Sequence, residues 1–436
     1  MDREEMRRNA RYLSNVAGHL DTSVVQETRG SHGKKKWSIR QLVISAVMSL
    51  VSGAKTLREM EKETRKLSFV FRKVLHIRGR LPDTTMWDYL LKADLSGLRK
   101  TLQNQAKQLH RSKATRKASG VPINILSFDG KYEHIRVKKE SGAASEFFQQ
   151  KGQPDGNHVR GEVRSISVSL VSSRSTLNLD MIPVPGRTNE MGAFKKAFLE
   201  VFENWGQTEL MELVATDSGS ASYSNAKLVD DAGVGYLMVL DAFQKELLKE
   251  AHRQIGSQSQ NAAEAFTSER YQGHRVEYRI WRTREMTNWN GWDHLRQVLR
   301  VERRVINDDP NISDITGTRY FLTNLPYGRL SAKDWLTVIR LRWQVENGTH
   351  WTLDAILKED KHLWIKQPHG LLAVQFLRRI ALNILAVFRG IHMRSEDNRR
   401  RPWKDIIDDF KDALRFAQEF HLNNRRELKS IATAVA

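Results

Sequence analysis

Three acidic residues stand where local sequence patterns would hold them in register. Ile123–Asp129 is a short apolar run closed by an acid, and Leu213–Asp217 is a second one. Further along, Arg342, Glu346 and His350 are spaced by four and share one face of a predicted helix. Carboxylates brought close together repel each other, and a hard divalent cation, Mg²⁺ or Mn²⁺, reverses that cost. Such a set suits metal-assisted phosphoryl transfer. Plainer readings exist for each residue: an Asp at a strand end often caps a turn, and an exposed Arg342–Glu346 pair is worth about half a kcal/mol. The chain has no cysteine, which leaves oxygen or imidazole as metal donors and excludes disulfides, thiolate sites and a cysteine nucleophile.

The elements that must position these acids follow from hydrophobic period. Strands are predicted at 123–129, 165–171 and 177–183, the last two joined by the turn 172–175. Thr188-Asn189-Glu190 caps a helix over 191–202, with Phe194, Ala197, Phe198 and Val201 on one face. A strand at 213–217, a helix at 224–231 and a strand at 236–240 complete the order β-β-β-α-β-α-β. That order is shared with the ribonuclease-H-like fold, whose first and fourth strands lie side by side, so Asp129 and Asp217 would meet at neighbouring strand ends. Strands predicted at 275–281, 297–306 and 319–325 form a β-rich insertion, with Trp289 and Trp292 in a turn. Ser331-Ala-Lys-Asp334 resembles a capping box opening the helix of Leu336, Ile339, Trp343 and Glu346. The last helices, 370–388 and 403–417, are amphipathic; they would close the core and offer a dimer face.

Charge is segregated along the 436 residues. The chain carries 71 Lys+Arg against 51 Asp+Glu, a net +20, and residues 1–120 hold 26 against 11, or +15 of it. Lys34, Lys35 and Lys36 with Arg40 form one cluster, and 101–120 is a second with no acid at all. Helical spacing at 39–50, a break at Ser52-Gly53 and a new start at Thr56 are compatible with a helix-turn-helix. A segregated basic module points to nucleic acid, with anionic membrane as the rival. The apolar runs 42–54 and 371–388 are respectively too short and interrupted by Arg378-Arg379, so no membrane span is expected. The start MDREEMRR lacks an apolar signal core, so no secretory signal is expected, which suits a cytoplasmic protein.

Ser127-Phe-Asp129-Gly-Lys131, Thr188-Asn-Glu190, Ala215-Thr-Asp217-Ser-Gly219 and Arg342-Trp-Gln-Val-Glu346-Asn347, continuing through His350-Trp-Thr-Leu-Asp354 to Glu359-Asp360, occur in the order found in bacterial insertion-sequence DDE transposases. The chain resembles that family in its β-insertion type, and Leu81-Pro-Asp-Thr-Thr85 resembles the H-repeat-associated subgroup. Two positions depart from the family helix signature Tyr-x2-Arg-x3-Glu-x6-Lys: Ile339 replaces the Tyr and Leu353 the Lys, with Lys358 a substitute for the latter. A second family stretch, Lys-Gly-Asn-Gln, keeps only Gln244. The resemblance implies an α/β chain: a helical DNA-binding domain at 1–120, a ribonuclease-H-like catalytic domain at 121–240 and 331–390, the insertion at 241–330 and a helical region at 391–436. Asp129, Asp217 and Glu346 would hold two Mg²⁺ or Mn²⁺ ions, Lys131 and Arg342 would neutralise the scissile phosphate, and Trp289 or Trp292 would stack on a flipped base. Expected partners are double-stranded DNA, both element ends and target, and a second copy of the chain in a synaptic complex. A nuclease without strand transfer, or a domesticated DNA-binding protein without activity, are the alternatives.

Overall fold

The computed structural model describes residues 2–30, 35–271, 273–307, 314–393 and 395–422; the side chains of Gln344, Glu346 and Asn347 lie outside that description. Six helices come first: α1 (Arg3–His19), α2 (Ile39–Val51), α3 (Leu57–Arg65), α4 (Phe69–Val74), α5 (Asp83–Leu91) and α6 (Leu95–Arg111). Their starts obey capping chemistry. Ser38 and Gln41 form a reciprocal capping box at α2, and the Thr56 hydroxyl accepts from the Glu59 N–H at α3.

Next come β1 (Ile125–Lys138), α7 (Lys139–Ala143), β2 (Phe148–Gln150), β3 (His158–Leu170), β4 (Leu177–Val184), α8 (Glu190–Trp205), β5 (Leu213–Thr216), α9 (Tyr223–Asp231), β6 (Gly235–Leu240) and α10 (Lys245–Ala251). The strands β7 (Ala265–Tyr271), β8 (His274–Thr283), β9 (Gln297–Ile306) and β10 (Ile315–Thr323) precede α11 (Ala332–Gln344) and α12 (Pro368–Val387). Three helices end the described chain: α13 (Glu396–Arg400), α14 (Trp403–Phe416) and α15 (Glu419–Leu422). The molecule is α/β around one mixed sheet in the order β2-β3-β1-β5-β6-β10-β9-β8-β7, with β4 beside β3.

One expectation needs correction. The first strand does not stop at Asp129: it continues to Lys138, antiparallel to β3 throughout. Charged residues at 131 and 133 disguised it, because they occupy the buried face of an alternating strand. The strands expected at 275–281, 297–306 and 319–325 fall at β8, β9 and β10 and pair antiparallel. Strand β10 pairs antiparallel with β6, so β7–β10 extend the central sheet.

Helix α12 is the hub of the core. It packs on α2, α5 and α6 and on β4, so apolar side chains from the first 120 residues and from the sheet share one cluster. With the turn that follows, 368–392 is long and apolar enough to cross a membrane, but its most apolar 18 residues are wholly buried inside the fold. That burial, rather than lipid, accounts for its composition.

Candidate active site

Strands β1 and β5 run parallel, with Phe128 paired to Thr216, so Asp129 and Asp217 follow directly at neighbouring strand ends. Asp217 accepts from the Ser220 N–H at 3.3 Å, and so also serves the turn before α9. Asp129 points to the opposite side from Phe128, whose ring packs on Phe194 of α8. There its Oδ2 lies 3.3 Å from Nδ1 of His350. Burial, with Lys131 and Arg379 adding to it, pushes the imidazole down to about 3. His350 is therefore neutral at physiological pH, and the contact is polar rather than ionic.

His350 sits where α11 gives way to two π-helical stretches, Val345–His350 and Thr352–Ile356. The helix before them starts at the expected capping box: the Ser331 hydroxyl accepts from the Asp334 N–H at 3.1 Å and Asp334 accepts from the Ser331 N–H at 3.1 Å. Leu336 and Ile339 anchor it in the core. Glu346 belongs to the first π-helical stretch, and its side chain is outside the described residues. Wide helical turns of this kind recur at functional sites because they re-aim side chains within a helix.

Sequence reasoning missed one acid. Glu190 opens α8 behind the Asn189 cap, whose Oδ1 accepts from the Gly192 N–H at 2.9 Å. Its carboxyl lies against Gly130, where any Cβ would overlap Oε2, and it accepts from Ser220 Oγ at 3.4 Å. Burial and the charge of Asp217 push it up to about 7. It lines a cleft of about 410 Å³ together with Gly130, Tyr132, Arg164, Gly219 and Phe243. The signal was present in Thr188-Asn189-Glu190, which reads both as a helix cap and as one of the family's ordered motifs, with its acid one residue inside a helix that starts beside a strand end.

A second acidic set lies on the Asp129 side of β1. Glu133, Asp354 and Glu359 have carboxylate oxygens within 4.8 Å of one another, the spacing of metal ligands. A cation already stands among them. Lys131 Nζ is 3.0 Å from Glu359 and 3.6 Å from Glu133 and is hydrogen-bonded to Asp354, while Arg379 Nη1 is 3.0 Å from the other Glu359 oxygen. These carboxylates are neutralised by the chain itself. Lys131 is thus engaged by three carboxylates, and it also borders the cleft beside Glu190.

A family model described as "Transposase DDE domain" matches residues 134–384, more than half of the chain. The chain belongs to the DDE transposase family. Its match starts just past Asp129 and spans Asp217 and Glu346. The chain is 25% identical over 242 residues to the "H repeat-associated putative transposase YhhI" of Escherichia coli (strain K12), which covers 53% of this chain and 60% of that protein. It is 22% identical over 250 residues to the "Putative transposase YncI" of Escherichia coli O157:H7, with the same two coverages. The chain thus spans about three fifths of the length of these curated relatives.

The remaining site residues of this family member scatter. Arg342 is buried, 2% exposed, and so is not part of a solvated surface. The two departures from the family helix signature have a packing reason: Ile339 and Leu353 are fully buried core residues. Lys34 lies outside the described residues. Lys35 is exposed and 3.8 Å from Glu27, and Lys36 is exposed. Arg40 is partly spent on structure, donating to the Ala17 carbonyl at 2.8 Å near the end of α1. Trp292 is buried beside Tyr223 and His294, so it packs rather than presenting a face to a base; Trp289 is half-buried.

Proposed function

We propose that the chain is a transposase that cuts DNA at the ends of its element and joins the freed 3′ ends to target DNA. The observation that carries this reading is the parallel β1–β5 pairing, which aligns Asp129 and Asp217 beside the segment bearing Glu346 and His350, in a DDE-family chain. Asp129, Asp217 and Glu346 would hold one or two Mg²⁺ or Mn²⁺ ions, with Glu190 next to Asp217. The donors fit such ions. All are hard carboxylate oxygens, and Glu190, held up by burial and then by the charge of Asp217, is a carboxyl whose ionised form a cation would stabilise. Bound there, the ions would lower the pKa of an attacking water and shield the scissile phosphate.

The chain's own residues do the rest. Neutral His350 abuts Asp129 and restricts the directions its carboxylate can take. Arg164, on the wall of the Glu190 cleft and paired with Glu162 at 2.8 Å, would bring positive charge toward the DNA backbone. The basic surplus of the first 120 residues draws the duplex in, with an affinity that falls steeply with salt. A second copy of the chain would hold the other element end in a synaptic complex.

The test is an incubation of purified protein with Mg²⁺, linear DNA carrying the element ends and a supercoiled plasmid. Joined products support the reading; cuts without joining indicate a nuclease, and binding without cuts a DNA-binding protein. Asp129→Ala, Asp217→Ala and Glu346→Ala must each abolish cleavage while leaving metal-free DNA binding intact.

A further inference from the structure

The buried ion cluster around Lys131 has no part in the chemistry described so far. Lys131 follows Asp129 by two residues on the same face of β1, and both are buried. Its ammonium joins Glu133 of the same strand to Asp354 and Glu359 of the segment beyond His350. Glu359 is fully buried and tied to Arg379 of α12. The Arg379 guanidinium also donates to Ser167 Oγ at 3.0 and 3.3 Å, and Ser167 is the β3 residue paired across from Asp129. Arg378 closes the ring by donating to the backbone carbonyls of Lys358, Glu359 and His362.

We propose that Lys131 and Glu359 are positioning residues, a built-in cation and its counter-ion that lock the Asp129 strand to the segment carrying Glu346 and His350. The inference rests on the transposase reading above and deepens it. The geometry supports it at both ends: on β1 the cluster starts two residues from Asp129, and on the other side Asp354 stands four residues beyond His350 and eight beyond Glu346. Energetics point the same way. Taking this many charges out of water costs more than an apolar core of the same volume would, so such clusters are poor devices for stability. What they supply is directionality, since each carboxylate fixes its partner at hydrogen-bond distance.

The experiment compares the full chain with Lys131→Met, Glu359→Gln and the double variant, which removes one charge of each sign. Three quantities are read: melting temperature, metal-free DNA affinity, and Mn²⁺ affinity by electron paramagnetic resonance. Positioning predicts that the double variant melts within a few degrees of the parent and binds DNA equally well without metal. Its Mn²⁺ affinity should fall by about 10- to 100-fold, the usual loss when the partners of metal ligands are removed. The double variant keeps the test open if either single variant fails to fold. Unchanged Mn²⁺ affinity in the folded double variant overturns the proposal. So does weakened metal-free DNA binding with intact Mn²⁺ affinity, which would make Lys131 a phosphate contact. Asp129→Ala is the control: if it leaves Mn²⁺ binding intact, the metal site itself has been misassigned, and the positioning role falls with it.

Discussion

Replacing Gly130 with alanine separates the stability of the sheet from the position of one carboxylate. Gly130 lies in β1 directly after Asp129, and a Cβ there would overlap Oε2 of Glu190 and come within 2.7 Å of Oε1. Ordinary carbon–oxygen contact requires the carboxylate to withdraw by roughly 1.5 Å. The obstacle is the far end of a flexible side chain, so the withdrawal costs about 0.5–1.5 kcal/mol in rotamer energy. Removing the conformational freedom of a strand glycine returns about 0.5–1 kcal/mol. The two nearly cancel, and the melting temperature should move by less than ~3 °C. The Glu190 carboxyl, however, leaves Ser220 and Asp217, and Mn²⁺ affinity should drop about 10- to 100-fold. Calorimetry and Mn²⁺ titration read the two effects separately. Glu190→Gln should match the affinity loss, and Gly130→Ala added to it should change nothing further, because both act on one group. The reasoning fails if Gly130→Ala leaves Mn²⁺ affinity at the parent value, or if its effect adds fully to that of Glu190→Gln.

Other outcomes follow from single contacts. Because Glu190 keeps a proton up to about pH 7 and must lose it to bind a cation, Mn²⁺ affinity should climb by up to about tenfold per pH unit below 7 and level off above it, whereas Glu190→Gln flattens the profile in a pH-stepped titration. Ser331→Ala removes the cap of α11 and should cost about 1 kcal/mol in a denaturant unfolding curve. Trp292→Ala should destabilise by about 3 kcal/mol, as a packing residue does, without reducing DNA affinity below the melting point.

Apolar period carried most of the fold. Residues 165–171, 177–183 and 236–240 alternate or run apolar; the first overruns the end of β3 by one residue, the other two lie within β4 and β6, and the helix expected at 191–202 sits inside α8. What period could not carry was polar burial. Lys131 and Glu133 read as the start of a loop, because nothing in the local sequence says that Asp354, Glu359 and Arg379, more than 200 residues away, will surround them. The same blindness hid Glu190, whose neighbours Gly130 and Ser220 come from two other elements. Sheet continuity from β6 to β10 was likewise invisible, since strand pairing across 80 residues leaves no periodic trace. The side-by-side placement of the strands ending at Asp129 and before Asp217, by contrast, was expected from an element order shared with the ribonuclease-H-like fold, and the parallel β1–β5 pairing agrees with it.

The two acidic sets flanking β1 differ in where their cations come from, and that difference bears on which of them takes metal. On one side Glu359 is fully buried, which would raise its pKa, yet Arg379, Lys131 and Arg378 outweigh burial and hold it well below the usual carboxylate range. The charges of Lys131, Arg378 and Arg379 equal in number those of Glu133, Asp354 and Glu359, so a divalent ion entering there would have to displace covalently attached cations. On the other side, burial and Asp217 drive Glu190 the opposite way, and the opposing pull of Arg164 and the Ser220 hydroxyl is too weak to prevent it. A carboxyl that must hold a proton near neutrality is one for which the fold has not supplied enough positive charge. In a chain with a net +20, that local deficit is not for want of basic residues. It is the condition under which a mobile cation gains most by binding; Glu133 of the trio, pushed up to about 7 by burial and Glu359, shares it, but there the Lys131 ammonium already stands between the carboxylates.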